Sequence, residues 1–166
     1  MHLSLIICLL ALLAPVQVFG KVALMPLSSL VASSELIVVA QVESVSPLVG
    51  RKRYARARVT EVWKGTNTET IEILASPSWI CDTSTAVEGE TVVLFLNRID
   101  QSQTYAIENS GRGRIPLRAI GSKNYVTVWS GMLPKQTNIN SVVLPELRNS
   151  VELTAFRDLV MKAQKK

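Results

Sequence analysis

Histidine is almost missing from this 166-residue chain, and His2 is the only one. Cysteine is nearly as scarce, with Cys8 and Cys81 alone. Both His2 and Cys8 fall in an N-terminal stretch that reads as a removable leader, so the processed chain is expected to hold no histidine and one cysteine. That excludes Ser-His-Asp and Cys-His catalysis and every zinc site that uses histidine. General acid–base work would fall on isolated Glu or Lys residues, and Asp82, Glu88 and Glu90 are too scattered for a carboxylate pair or a calcium loop. No enzymatic activity and no cofactor are expected. Charged residues make up 19% and hydrophobic residues 48%, a balance that suits one globular domain with a real core.

An apolar run long enough to span a bilayer is also lacking. Leu3 to Ala14 carries no charge and is well short of the ~20 residues a spanning helix needs. It has the length of a signal h-region; Pro15 breaks it, and Val18 and Gly20 supply positions −3 and −1 of a cleavage site between Gly20 and Lys21. A buried N-terminal helix or an uncleaved anchor is the alternative. Residues 1–20 are thus assigned to a signal peptide, with the mature chain extracytoplasmic (secreted or periplasmic) and without a transmembrane segment. Removing them takes away no Lys, Arg, Asp or Glu, so the net charge stays +5. Cys81 then has no intramolecular disulfide partner; it is read as a small buried hydrophobe, with an intermolecular disulfide as the alternative.

Strand patterns fill residues 21–143. Met25 to Ser34 reads as a short helix behind Pro26, and Glu35 to Val42 as a strand apolar on both parities. Arg51 to Gly65 alternates, with Ala55, Ala57 and Val59 on one face and Tyr54, Arg56 and Arg58 on the other. The apolar parity then slips to Val62, which predicts a β-bulge near Thr60-Glu61. Further strands are expected over Thr70–Ala75, Thr91–Leu96, Thr104–Ile107 and Tyr125–Trp129. Residues 144–166 differ: Leu147, Val151, Ala155, Phe156, Leu159, Val160 and Ala163 form a helical stripe, with Asn149 and Glu152 spaced as a capping box. The mixed signs of its polar face favour a helix docked on the barrel over one bound to a membrane. The expected fold is mainly β, an OB-fold-like barrel of five to six strands with a C-terminal amphipathic α-helix.

Three segments carry a resemblance. Ser34 to Val42, Val59-Thr60-Glu61-Val62-Trp63-Lys64-Gly65, and Cys81 ahead of Gly89-Glu90-Thr91-Val92-Val93-Leu94-Phe95-Leu96 resemble the netrin-like, tissue-inhibitor-of-metalloproteinase-like domain. Gly111-Arg112-Gly113-Arg114 lies where that family often has a Gly-rich turn, and the likeness runs from about Ser34 to Leu117. The Trp-Lys-Gly strand end is its distinctive element. The resemblance implies an OB-fold barrel, an extracytoplasmic setting and a protein partner. The family's inhibitors open on Cys-x-Cys, which chelates the protease zinc; here the predicted mature start is Lys21-Val22-Ala23-Leu24. Inhibition by that mechanism does not carry over.

Arg51, Lys52, Arg53, Arg56 and Arg58 form the densest basic cluster, and Tyr54 sits among them. Cations flanking an aromatic ring on a strand suit an anionic polymer, polysaccharide or nucleic acid. The plainer reading is a solvated edge, with Glu61 and Glu72 available to neutralise part of it. Arg112, Arg114 and Arg118 with Gly111 and Gly113 form a second candidate anion-binding loop, or an ordinary hairpin turn. Trp79 is the tryptophan expected to be exposed. Two functions follow: a non-catalytic module for a protein partner, or a binder of anionic polymers. Steep salt sensitivity marks the second.

Overall fold

The computed structural model describes residues 22–133 and 149–165. The expected signal segment, its cleavage pair Gly20 and Lys21, and residues 144–148 of the C-terminal segment lie outside the described residues. The described elements run α1 (Leu27–Ser33), β1 (Leu36–Val45), β2 (Tyr54–Lys64), β3 (Thr70–Leu74), β4 (Thr91–Arg98), β5 (Thr104–Ile107), β6 (Arg114–Ile120), β7 (Lys123–Thr127), β8 (Ser150–Glu152) and α2 (Leu153–Ala163).

Strands β1-β2-β3-β5-β4 are hydrogen-bonded in that order, and β4 pairs back onto β1 to close a five-stranded barrel. The β3–β5 pair is parallel and the other four are antiparallel, which is the OB-fold arrangement. Beyond β4, the sheet continues through β6, β7 and β8 as an antiparallel extension.

Alternation decides which residues fill the barrel. Val38, Ala40 and Val42 of β1, Ala55 and Ala57 of β2, Ile71 and Ile73 of β3, and Val92, Leu94 and Leu96 of β4 make the interior cluster. The opposite parity of β1 and β4 is apolar too, because a second layer covers it. Ile37, Val39, Val93 and Phe95 pack against Leu30 and Val31 of α1, Phe156 and Val160 of α2, and Val126 and Val151 of the extension. The β-bulge expected near Thr60-Glu61 is present: Val39 pairs with Glu61 and Ala40 with Val59, leaving Thr60 over.

The Trp-Lys-Gly strand end is explained by what each residue touches. Trp63 is buried under α2, 6.2 Å from Phe156 centroid to centroid. Lys64 Nζ donates to the carbonyl of Val31 at 2.7 Å, meeting the last turn of α1. Gly65 has φ +93, and a Cβ there would lie 2.7 Å from the Glu35 carbonyl oxygen.

The tail corrects one expectation. Ser150–Glu152 is a strand on β7, and the helix starts at Leu153. The proposed capping box is not formed, because Asn149 turns with φ 62 and Glu152 accepts from Lys123 Nζ at 2.8 Å. That hydrogen bond holds the Glu152 carboxyl below its ordinary pKa and raises that of Lys123. The free edge of β7 competes with the helix for Val151, and sheet pairing wins.

Candidate functional site

The basic strand face is as expected in direction and different in charge. Arg56 and Arg58 project outward from β2 beside half-buried Tyr54, with Ala55 and Ala57 inward. The acid that meets them is Glu43, not Glu61. Glu43 Oε1 lies 3.2 Å from Arg58 Nε and Glu43 Oε2 lies 3.8 Å from Arg56 Nε, while Gln41 accepts from Arg58 Nη2 at 2.8 Å. Glu43 gets there through a bulge: Val42 pairs with Ala57 and Ser44 with Arg56, so Glu43 is the extra residue on β1. Glu61 instead accepts from Trp63 Nε1 at 2.9 Å and faces Arg157 of α2. Glu72 stands opposite Arg56 on β3 and accepts from Thr104 at 2.7 Å.

Next to this face is an open groove of about 540 Å³ between the β2–β3 and β4–β5 loops. Arg56, Glu72, Arg98, Gln103 and Tyr105 line it, and the Arg98 guanidinium lies 5.6 Å from the Tyr105 ring centre. Sequence reasoning misses Arg98 and Tyr105, which the parallel β3–β5 and antiparallel β4–β5 pairings bring into one groove with Arg56.

Arg51, Lys52 and Arg53 are not on that face. They occupy the tip of the β1–β2 hairpin, closed by a Val49–Lys52 bridge, and all three are exposed. The tip is apolar as well: Leu48 is exposed and Val49 is 75% exposed. The β3–β4 segment leaves the same end of the barrel, since Ala75 N donates to Arg53 O at 2.8 Å and Arg53 N to Ser76 Oγ at 3.0 Å. It presents Trp79, 44% exposed as expected, Ile80, 97% exposed, and Val87. The β4 end of that segment is tied to β1, with Gly89 N donating to Val42 O at 2.9 Å.

Asp82 pins the segment. Its carboxylate accepts from Ser78 N and Ser78 Oγ, both at 2.7 Å, and from Ser84 N at 2.8 Å. Burial alone would push its pKa up, but the hydrogen bonds from Ser84 and Ser78 together outweigh that and hold it below the ordinary value of 3.8. Cys81, between Ile80 and Asp82, is a half-buried thiol.

The second candidate loop divides. Gly111-Arg112-Gly113 is a turn between β5 and β6. Arg114 opens β6 and forms a bidentate pair with Glu90, its Nε at 2.8 Å from Oε1 and its Nη2 on Oε2. The two side chains are only 16% and 13% exposed, so Arg114 is committed to the fold and not open to a ligand. Arg112 is half-buried and lines a cleft of about 400 Å³. Arg118 is exposed on β6, facing Tyr125 of β7 in the ladder, away from that turn.

Among the described residues no group of three or more His, Cys, Asp and Glu is placed to share a metal ion, and no helix is long and apolar enough to cross a membrane. No protein-family model matches the chain, and no curated protein sequence matches it.

Proposed function

We propose that the protein is an exported, non-catalytic OB-fold binding module of netrin-like type that docks a protein partner with the loop-bearing end of its barrel. The observation that carries this is the exposure of Leu48, Val49, Trp79, Ile80 and Val87 on two loops at one end. Exposed apolar patches mark contact sites, and tryptophan is among the residues most enriched at binding hot spots. Arg51, Lys52 and Arg53 form a charged rim that steers encounter. The Asp82 hydrogen bonds fix the loop before binding, which lowers the ordering cost. Export is supported by the uncharged Leu3–Ala14 run ahead of Gly20. An intact mass that retains residues 1–20 would remove that part of the proposal.

The test is cross-linking and capture in the native extracytoplasmic fraction with wild type and the Trp79→Ser, Ile80→Ser double variant. A partner held through high-salt washes and lost with the variant supports the reading. Equal capture by both proteins sinks it. One observation favours the polymer alternative: Arg56 borders a groove that also holds Arg98 and Tyr105. Glu43 and Glu72 weigh against it, because each places a carboxylate on that face.

A further inference from the structure

We infer that the cleft beside the β5–β6 turn is an oxyanion site with Arg112 as its anchor, a reading independent of the partner interface. Thr83, Thr85, Arg112, Arg114, Thr127 and Trp129 line the cleft, and no carboxylate is among the residues that do. Its two guanidiniums differ. Arg114 is neutralised by Glu90, whereas Arg112 forms no salt bridge among the described residues, and its Nη1 is buried with no hydrogen-bond acceptor. Asn109 Nδ2, in the same turn, is a second buried donor without an acceptor. Buried donors left unmet cost folding free energy, so native structures rarely keep them without a reason.

The backbone of the turn is closely packed. Gly111 has φ +85, and a Cβ on it would fall 2.2 Å from Ser84 N. A Cβ on Gly113 would lie 3.0 Å from the carbonyl oxygens of both Glu108 and Phe95. Phe95 N donates to Gly113 O and Thr83 N to Ser110 O, each at 2.9 Å, so strand β4 and the β3–β4 segment clamp the turn from two sides. The backbone of the turn is thus fixed, and Arg112 brings to the cleft a cation with no salt bridge among the described residues, in a lining that also holds the hydroxyls of Thr83, Thr85 and Thr127. The chemistry that completes it is a group with several anionic oxygens, a phosphate, a sulfate or a carboxylate, accepting from Arg112.

Inorganic phosphate and acetate are the probes, each titrated against chloride at fixed ionic strength. Tryptophan emission reports occupancy, because Trp129 lines the cleft, and the melting midpoint reports linkage. Wild type should respond saturably to at least one probe; which one separates a tetrahedral from a planar ligand. Arg112→Met should weaken binding by roughly tenfold or more, as loss of a charged hydrogen bond does. Without anion it should melt no lower than wild type, since it removes an unmet buried donor. Thr85→Glu, at an exposed cleft position, supplies a tethered carboxylate: it should raise the anion-free midpoint and abolish the response to added anion. No saturable response in wild type, or affinity within about twofold in Arg112→Met, overturns the inference. If Arg112→Met does not fold, unchanged affinity in Thr85→Glu overturns it instead.

Discussion

Phe156→Ala removes the side chain that fastens α2 to the barrel. Phe156 is fully buried, with the Trp63 ring at 6.2 Å and 55° on one side and the Phe95 ring at 6.5 Å and 79° on the other. Losing its transfer free energy costs about 2 kcal/mol. The void left between three elements adds about 2 kcal/mol if roughly 80–100 Å³ stays open, at about 24 cal/mol per Å³. Strands β2 and β4 form two of the walls and are locked in the closed barrel, so little collapse is expected. The expected loss is about 4 kcal/mol, which at a urea slope near 2 kcal/mol/M lowers the midpoint by about 2 M. Chemical denaturation read by tryptophan emission and by far-UV dichroism measures it, with Trp63 as the probe beside the void. A loss below about 1.5 kcal/mol would mean that the helix is not part of the core, and the two-layer account of the fold would be wrong.

Three further outcomes follow. Leu94→Ala, at a fully buried barrel position, should cost roughly 2–5 kcal/mol in denaturant melts; a loss under about 1 kcal/mol would place Leu94 outside the core. Asp82 has a depressed folded-state pKa, so its stabilisation is complete above the ordinary value of 3.8 and is lost as pH falls below that toward the folded value. Exposed Trp79 emission should change in that acid window, and Asp82→Asn should abolish the change; an identical profile in the variant refutes the assignment. Arg56→Ala with Arg58→Ala should change stability by less than about 1 kcal/mol, because both ion pairs with Glu43 are exposed, and should leave heparin affinity within about twofold, since the partner-binding end lies elsewhere. A salt slope flattened by about two counterions would instead establish the polymer reading.

The elements with clean periodicity are legible in the sequence itself. β2 shows its bulge because Ala55, Ala57 and Val59 alternate and Val62 does not fit the parity. β6 is not legible: Arg114-Ile115-Pro116-Leu117-Arg118 mixes charge and proline, and the strand exists because it pairs with β4, leaving Pro116 exposed. Without β6 the Arg114–Glu90 pair has no register from which to be inferred, so Arg114 reads as an open cation. Glu43 is hidden for a related reason. Val42 and Val45 both pack toward the barrel interior, three residues apart, and only a bulge makes that spacing possible. The exposed Ile80 and Val49 carry no sequence signal at all, because an apolar residue in a loop looks the same whether it is covered or bare.

Strand β4 separates the two apolar layers, with Val92, Leu94 and Leu96 on one side and Val93 and Phe95 on the other. Every residue from Val92 to Leu96 is buried, so this segment offers mutation no neutral position. Substitutions there are paid in stability whichever way the side chain points. The exposed positions of the β1–β2 tip, the β3–β4 segment and the outer face of β2 are where substitution costs the fold least. A lineage of such chains could acquire new ligands at those surfaces while the residues of β4 stayed nearly unchanged.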